Sequence, residues 1–577
     1  MIVLGISPLA HESTATLVAD GRLLAAVSEE RLTRRKNQGG FPYRSLELVF
    51  RMTGLRPQDV GCVAYPFFDA RREFALQLKA FRDNLLFTLR GDDPIRHRLL
   101  HLLNYARITF LLNGAKVADA QLAAGLREYG LLERLRRVDH QQSHVASAVY
   151  TSGFDRCLGV SLDGYGGGAS GSFYSWDGND LREVCRIPFP HSVGAFYQRL
   201  TAALGFMPNR HEGKVLGLAA YGDPEQLYPR ILRRFDLAHE DHFRFKSAHN
   251  RWYERRLVRR YPREDLAAAY QRVLEDVVVR YVRHYLRRLG HSRVALAGGV
   301  AANVKLNQGI AKLDEVEEVY VHPAMSDMGN GTGAALLVAG AKDGLRPFRL
   351  RDAFLGPKYA DGEIERALGD SGLVYRRVSS PERVAARLLA EGKVVARFEG
   401  RMEYGPRALG NRSILCRATD PSVNTWLNRR LGRTEFMPFA PATLAEHAER
   451  YYCGLHKGGH AAQFMTITFD CTEAMKRESP AAVHVDGTAR PQVVHREVNP
   501  KFHEVLLAYH RLTGIPTLIN TSFNMHEEPI VCTPEDAVRG FLDSGLDYLA
   551  IGSFLAASSN LDGIETLARP SEEVPSA

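Results

Sequence analysis

The chain has 577 residues, too many for one ordinary hydrophobic core, so two or more domains are expected. Apolar residues make up 45 % and charged residues 24 %, a globular balance that excludes disorder over most of the length, and no apolar run reaches the roughly 18 residues that a membrane span needs. The net charge is +9, from 75 basic residues of which 13 are Lys; it suits anionic ligands or reflects an Arg-rich composition, and no Lys/Arg block marks a nucleic-acid tail. The seven Cys are odd in number and form no C-x-x-C pair, which argues against a disulfide framework or a structural zinc site and for a reducing cytoplasm.

Residues 1–10 are apolar but lack a basic leader, and His11-Glu12 interrupts them, so no secretory signal is expected. Three short strands follow one another at 1–6, 14–18 and 22–27, the last two joined by the turn signal Asp20-Gly21. Residues 70–135 are helix-rich, with Phe74, Leu76, Leu78 and Phe81 at helical spacing. After a helix containing His140, a second strand–turn–strand unit reads as 157–162, a Gly-rich turn 163–171 and 172–176. Its recurrence predicts a duplicated architecture. A long helix over 265–290 leads to strands at 294–297 and 316–321, each with a Gly-rich turn after it, the pattern of an α/β fold. Composition shifts near 340–362, which places a domain boundary there: 1–350 with a helical insertion at about 70–135, then 351–577. The second domain is again α/β, with strands at 393–398 and 515–520 and a tail rich in Pro, Glu and Ser, expected to be disordered from about 566.

Six constellations carry chemistry. His140 and His144 are one helical turn apart and can share a metal or serve as structural histidines. The sequence between them is not H-E-x-x-H, so a zinc protease is not supported. Asp163 and Asp327, each at a strand end by a Gly-rich turn, are the carboxylates to complete a site that would suit iron(II), manganese or zinc. The Gly-rich turns themselves, with Gly166 and Gly167, with Gly298, Gly299 and Asn303, and at 329–333, can admit a phosphate or adenosine to the backbone. His11 lies in the first loop as a candidate general base, and the basic run 31–36, ending in Lys36, can bind phosphate or form a solvated face. Glu212 and Lys214 flank a glycine ahead of an Ala-rich helix. Arg401, Arg407 and Arg412 stand among turn residues as a phosphate clamp, and Asn520, Thr521, Ser522 and Asn524 offer donors at a strand end.

Together these segments resemble the O-carbamoyltransferase family, which includes nodulation protein U and the tailoring carbamoyltransferases of antibiotic pathways. The matching stretches are ISPLAHESTATLV, EERLTRRKN, the HxxxH pair, SLDGYGGGASG, EGKVLGLAAYG, LAGGVAAN, GRMEYGPRALGNRSIL, PFAPA and NTSFNMHEEPIV; the helices around 70–130 are not covered. The resemblance implies a duplicated actin-like, ribonuclease-H-like N-terminal domain and a YrdC-like C-terminal domain. It implies an iron-type metal on His140, His144, Asp163 and Asp327, and a Ser-x-Asn feature at Ser522 and Asn524. Two departures stand out. LGRTEFMPFAP keeps Arg433, but Leu431, Thr434 and Met437 stand where the family has Lys, Glu and Arg, with Arg429 or Arg430 as possible replacements. Glu527-Glu528-Pro529 stands where the family has Gly-Glu-Pro.

The implied reaction uses carbamoyl phosphate and Mg-ATP to form carbamoyl-adenylate in the second domain, with Arg407, Arg412 and Arg433 on the phosphates and Asn520, Ser522 and Asn524 on the anhydride. The first domain would then bind the intermediate, with Glu212, Lys214 and the Gly-rich turns on its nucleotide part, Lys36 on its charge and His11 taking the proton of an acceptor hydroxyl. The positive charge disfavours a polycationic aminoglycoside and favours a neutral polyketide, macrolide or its sugar. The expected protein is a cytoplasmic monomer or homodimer acting on a small hydroxylated molecule, without membrane or nucleic-acid partners. The competing readings are a tRNA threonylcarbamoyl-type enzyme, a hydrogenase-maturation carbamoyltransferase, which would need the missing C-x-x-C pairs, and a non-catalytic actin-like scaffold.

Overall fold

The computed structural model describes residues 1–90, 95, 96, 98, 99, 102, 103, 106, 115–246, 251–433, 437–558 and 561. The tail expected from about 566 and the departure at Thr434 lie outside the described residues. The chain divides into two compact units. Met1–Glu30, Asn37–Leu350 and His456–Ala461 form the first, and Arg31–Lys36, Arg351–Leu455 and the chain from Ala462 form the second. All seven cysteines are unpaired. Among the described residues no helix is long and apolar enough to cross a membrane.

The first unit holds two five-stranded mixed sheets built on one strand plan. In the first, β1 (Ile2–Ile6), β2 (Thr14–Ala19) and β3 (Arg22–Ser28) form an antiparallel meander, and β4 (Cys62–Tyr65) and β5 (Leu135–Arg137) add in parallel beside β1, giving the order β3-β2-β1-β4-β5. In the second, β6 (Cys157–Gly166), β7 (Ala169–Trp176) and β8 (Leu181–Pro188) form the meander, and β9 (Arg293–Ala297) and β10 (Glu318–Val321) add in parallel beside β6, giving β8-β7-β6-β9-β10. The β2–β3 and β6–β7 hairpins turn at Asp20-Gly21 and Gly167-Gly168. All four residues have positive φ, the geometry of the two-residue turn that matches strand twist.

Three helices of this unit position its polar side chains: α1 (Ala70–Arg90), α2 (His140–Ser152) after β5, and α3 (Asn330–Asp343) after β10. Helix α2 lies on β6 and β9, α3 lies on β1, β2 and β4, and the two helices pack on each other. Both approaches need missing side chains. A Cβ on Gly5 of β1 would overlap the Gly331 carbonyl oxygen, and one on Gly333 would overlap the Ser143 carbonyl oxygen. Gly329–Gly333 is therefore not a strand-end turn as the spacing suggested. It runs from a short 3-10 turn into the first residues of α3. Asp163 likewise lies within β6, which runs on to Gly166, rather than in a turn.

The second unit is an eight-stranded mixed sheet. Its strands are β11 (Val374–Arg377), β12 (Val395–Phe398), β13 (Arg412–Arg417), β14 (Ala440–Leu444), β15 (Gln492–Val494), β16 (Thr517–Ser522), β17 (Tyr548–Ile551) and β18 (Phe554–Ala557), ordered β11-β18-β17-β12-β13-β16-β14-β15. Val384 and Leu388 of α4 (Pro381–Ala390) and Phe502 and Leu506 of α5 (Pro500–Thr513) bury against Val395, Leu415, Leu444 and Leu518 of the sheet. A further helix, α6 (Pro534–Ser544), opens with a capping box between Thr533 and Asp536.

Gly333→Ala should force α2 and α3 apart. We expect a loss of about 1–3 kcal/mol, seen as a lower midpoint for the first unit's transition in thermal or urea unfolding, whereas Gly309→Ala, whose Cβ would meet only an ordinary contact with Val279, spares that packing.

Candidate functional site

Helix α2 begins where it does because Asp139 caps it: the Asp139 carboxylate accepts from the Gln142 N–H at 3.0 Å, and the Arg186 guanidinium stands 3.0 Å from the same carboxylate. His140 is thus the first helical residue and His144 follows one turn later, both with fully buried side chains. Asp163 reaches them from β6, and Asp327 from the 3-10 turn just before α3. His140 Nε2 lies 3.3 Å from Asp163 Oδ2 and 3.6 Å from Asp327 Oδ1; His144 Nε2 lies 3.8 and 3.2 Å from the same two atoms. One ligand atom from each of the four residues falls within 4.8 Å of every other.

The environment supports the grouping. Burial alone would raise both carboxyls, but the facing imidazoles hold Asp163 and Asp327 below the ordinary carboxylate range. Burial opposes a charge on His140, yet its hydrogen bond with Asp163 and the charges of Asp327 and Asp163 raise its pKa above the usual 6.5. Neither ring nitrogen of His144 and not Asp327 Oδ1 makes a well-aligned hydrogen bond, although all three are buried. Two nitrogens and two carboxylates converging with such unfilled capacity fit a divalent ion of the iron, manganese or zinc type. His11 sits beside the group, 44 % exposed, with Nε2 3.5 Å from Asp327 Oδ2.

Several residues predicted as ligand contacts prove to shape this cluster. A Cβ on Gly166 would strike the His140 ring, so the glycine leaves room for the imidazole. Gly167 makes the hairpin turn. Gly298, at φ +89, turns the chain after β9, and the Gly299 N–H donates to Asp163 Oδ1 at 3.2 Å. Asn303 caps the next helix by accepting from the Leu306 N–H and exchanges hydrogen bonds with Gln271. Glu212 is half-buried and accepts from the Asn209 N–H, and Lys214 is buried. Lys36 is exposed and groups with the second unit.

Sequence reasoning missed Asn330. Its side-chain amide lies 3.0 Å from His140 Nδ1, the ring nitrogen turned away from the cluster, and its oxygen is buried without a partner. It stood inside a segment read only for its glycines. It also missed the inward face of α1. Glu73, Gln77, Asn84 and Thr88 are buried there, a polar stripe on the face where an amphipathic helix ordinarily buries apolar residues. The Gln77 amide donates to the Tyr165 hydroxyl, and burial pushes the Glu73 carboxyl up to about 7.

In the second unit Arg433 is a hub. It donates to Thr521 Oγ1 at 2.8 Å, to the Ser522 and Asn524 carbonyl oxygens at 2.8 and 2.9 Å, and to Asn524 Oδ1 at 3.0 Å. It thereby ties together Thr521, Ser522 and Asn524, read from sequence as donors, whose side-chain oxygens here accept from the guanidinium. Asn520 is buried and holds the 408–412 loop, donating to Ala408 O and to Gln492, which in turn donates to Leu409 O. Arg412 departs from expectation. It is fully buried over the Phe398 ring, and its guanidinium donates to the carbonyls of Glu399, Asn411, Pro357 and Gly400. Arg401 similarly donates to Gly356 and Leu355, whereas Arg407 is half-buried. Glu403, not singled out from sequence, accepts the N–H groups of Leu409, Asn411 and Arg412 and so shapes the whole segment. Leu431 is buried, which accounts for an apolar residue there. Arg430 is taken up by Asp547 and Gly545 O, and Arg429 is exposed.

Comparison with known proteins matches residues 2–336 to the model of the carbamoyltransferase N-terminus and 386–558 to that of the carbamoyltransferase C-terminus. An uncharacterized protein of Synechocystis sp. is 33 % identical over 96 % of this chain and 97 % of its own length. Nodulation protein NolNO of Sinorhizobium fredii is 32 % identical over 94 % of this chain and 78 % of its own, and nodulation protein U of the same species 27 % identical over 91 % and 94 %.

Metal affinity should follow two handles, read by equilibrium titration with manganese(II) and iron(II). Asn330→Ala, by removing the hydrogen-bond partner on the far side of the His140 ring, should weaken binding about 10- to 100-fold. Affinity should climb as pH rises past 6.5, because the ion displaces the proton that the carboxylates hold on His140.

Proposed function

The chain belongs to the carbamoyltransferase family, and from that premise we propose that it is an ATP-dependent O-carbamoyltransferase, carrying the carbamoyl group of carbamoyl phosphate through carbamoyl-adenylate to a hydroxyl of a small molecule. The observation that carries this reading is the buried group of His140, His144, Asp163 and Asp327 with the partly exposed His11 at its edge. Those four residues would hold the ion. When bound, a divalent ion supplies Lewis acidity to a phosphate or carbonyl oxygen. His11 accepts the proton of the attacking hydroxyl, and Asp327, 3.5 Å away, orients the imidazole and compensates the charge it gains. A plain alcohol is a weak nucleophile, so the donor must carry a good leaving group; AMP on a mixed anhydride is one.

The second unit makes that donor. Water cleaves carbamoyl phosphate to carbamate and inorganic phosphate, and a carbamate oxygen then attacks the α-phosphorus of ATP, expelling pyrophosphate. Arg407 neutralises the phosphates and Lys36 adds a cation on the same unit, while Arg433 orders the end of β16 and Arg412 braces the loop that carries Arg407. Ser522 and Asn524 keep the anhydride in line through Arg433. The buried polar stripe of α1 supports an acceptor rich in hydroxyls, such as a sugar or a glycosylated neutral scaffold, in preference to an apolar one.

With Mg-ATP and no acceptor, pyrophosphate release should depend on carbamoyl phosphate, and Arg433→Met should lower it about 10²-fold. His11→Asn should lower transfer to an acceptor by about 10²-fold or more. Pyrophosphate release indifferent to carbamoyl phosphate contradicts the reading.

A further inference from the structure

The basic run 31–36 follows β3 in sequence, yet its residues belong to the second unit. Arg31 donates to the Gly405 carbonyl oxygen at 2.7 Å. Arg34 does more. Its Nη1 donates to Ile530 O and its Nη2 to Pro529 O, both at 2.7 Å. Its Nε lies 3.4 Å from Asp536 Oδ1 and its Nη2 3.7 Å from Glu528 Oε2. The side chain is 17 % exposed, and the residue itself sits at φ +60, a conformation that a non-glycine residue adopts only when its surroundings impose it.

These contacts converge on one loop. The chain leaves β16 at Ser522 and returns at Val531, whose N–H donates to Phe523 O at 3.0 Å. Within the loop the Asn524 amide donates to Met525 O and Glu528 O, and its oxygen accepts from Arg433. Glu527 stands at φ +63, so the loop carries strain and needs holding from outside. Asp536 fastens the loop's end by accepting the N–H groups of Cys532 and Thr533, and Arg34 ties that carboxylate to the two preceding carbonyls. A planar guanidinium can serve two adjacent carbonyls and a carboxylate together; an ammonium cannot do so with the same geometry.

We propose that Arg34 is a positioning residue for adenylate formation, holding the 523–531 loop so that Asn524, Ser522 and Arg433 keep the arrangement that the reaction needs. The inference rests on the reading above that the second unit makes the adenylate. It also gives the run 31–36 a duty other than binding phosphate.

The test uses the full chain and its Arg34→Met and Arg34→Lys variants, with hydrogen–deuterium exchange read alongside pyrophosphate release. In Arg34→Met, exchange over 523–531 should quicken by about tenfold or more while β12 and β13 keep their rates. The kcat of pyrophosphate release should fall about 10²-fold, with the KM for ATP little moved. Arg34→Lys, which keeps the charge, should not restore kcat. Unchanged exchange in the loop, a general rise across the sheet, an unaltered kcat, or full rescue by lysine would each overturn the inference. Wild-type protein that releases no pyrophosphate in response to carbamoyl phosphate contradicts the adenylate reading first and the inference with it, and is distinguished by needing no variant.

Discussion

Two carboxylates and two imidazoles share a buried space in which each ligand atom lies within 4.8 Å of the others. Such a group is stable only if its charges compensate, because burial disfavours every ionised member and Asp163 repels Asp327. In the metal-free protein, the proton on His140 supplies compensation. His140, with its raised pKa, contributes stability that is complete below about 6.5 and is lost as pH rises through the raised value; Asp163 and Asp327, with lowered values, contribute above about 3.8 and lose it as pH falls through theirs. A divalent cation can replace the His140 proton, so the cluster is most in want of an ion where His140 discharges.

The rest of the first unit serves this arrangement. Two sheets with one strand plan each present the C-terminal end of a central strand: β1 leads to the loop bearing His11, and β6 carries Asp163. The histidines start a helix on one sheet, and Asp327 precedes a helix on the other. The helices must pack closely for these side chains to meet. Gly5, Gly331 and Gly333 permit the approach, Gly166 clears the His140 ring, and the Gly299 N–H steadies Asp163. The glycines of these turns thus have packing duties that need no bound phosphate.

Strand and helix positions were legible because they follow hydrophobic periodicity and turn chemistry, both local: β1, β2 and β3 agree with the sequence reading to within a residue or two at each end. The four-residue cluster was legible from a resemblance over most of the chain, and the i, i+4 histidines alone left it open. What was not legible depends on contacts distant in sequence. That Arg412 is enclosed by carbonyls, that Asn330 faces His140 and that Arg34 reaches Pro529 and Ile530 some 495 residues away cannot be read from any window. Leu431 and Glu527 are departures from the family's pattern. The buried site accounts for the apolar residue at Leu431, whereas Glu527 takes a positive φ that glycine would adopt without strain.

The final position of the carbamoyl group decides between the possible reactions. The most direct measurement supplies carbamoyl phosphate labelled with carbon-13, Mg-ATP and iron(II) to the full chain with a pool of hydroxylated small molecules, and identifies the labelled product by mass spectrometry and NMR. An ATP-dependent O-carbamoyltransferase places the label in a carbamate ester on a carbon-bound oxygen, released as the free alcohol by base, and yields no such product without ATP. Label on nitrogen, label in RNA supplied in parallel, or ester formation that does not need ATP would contradict that reading.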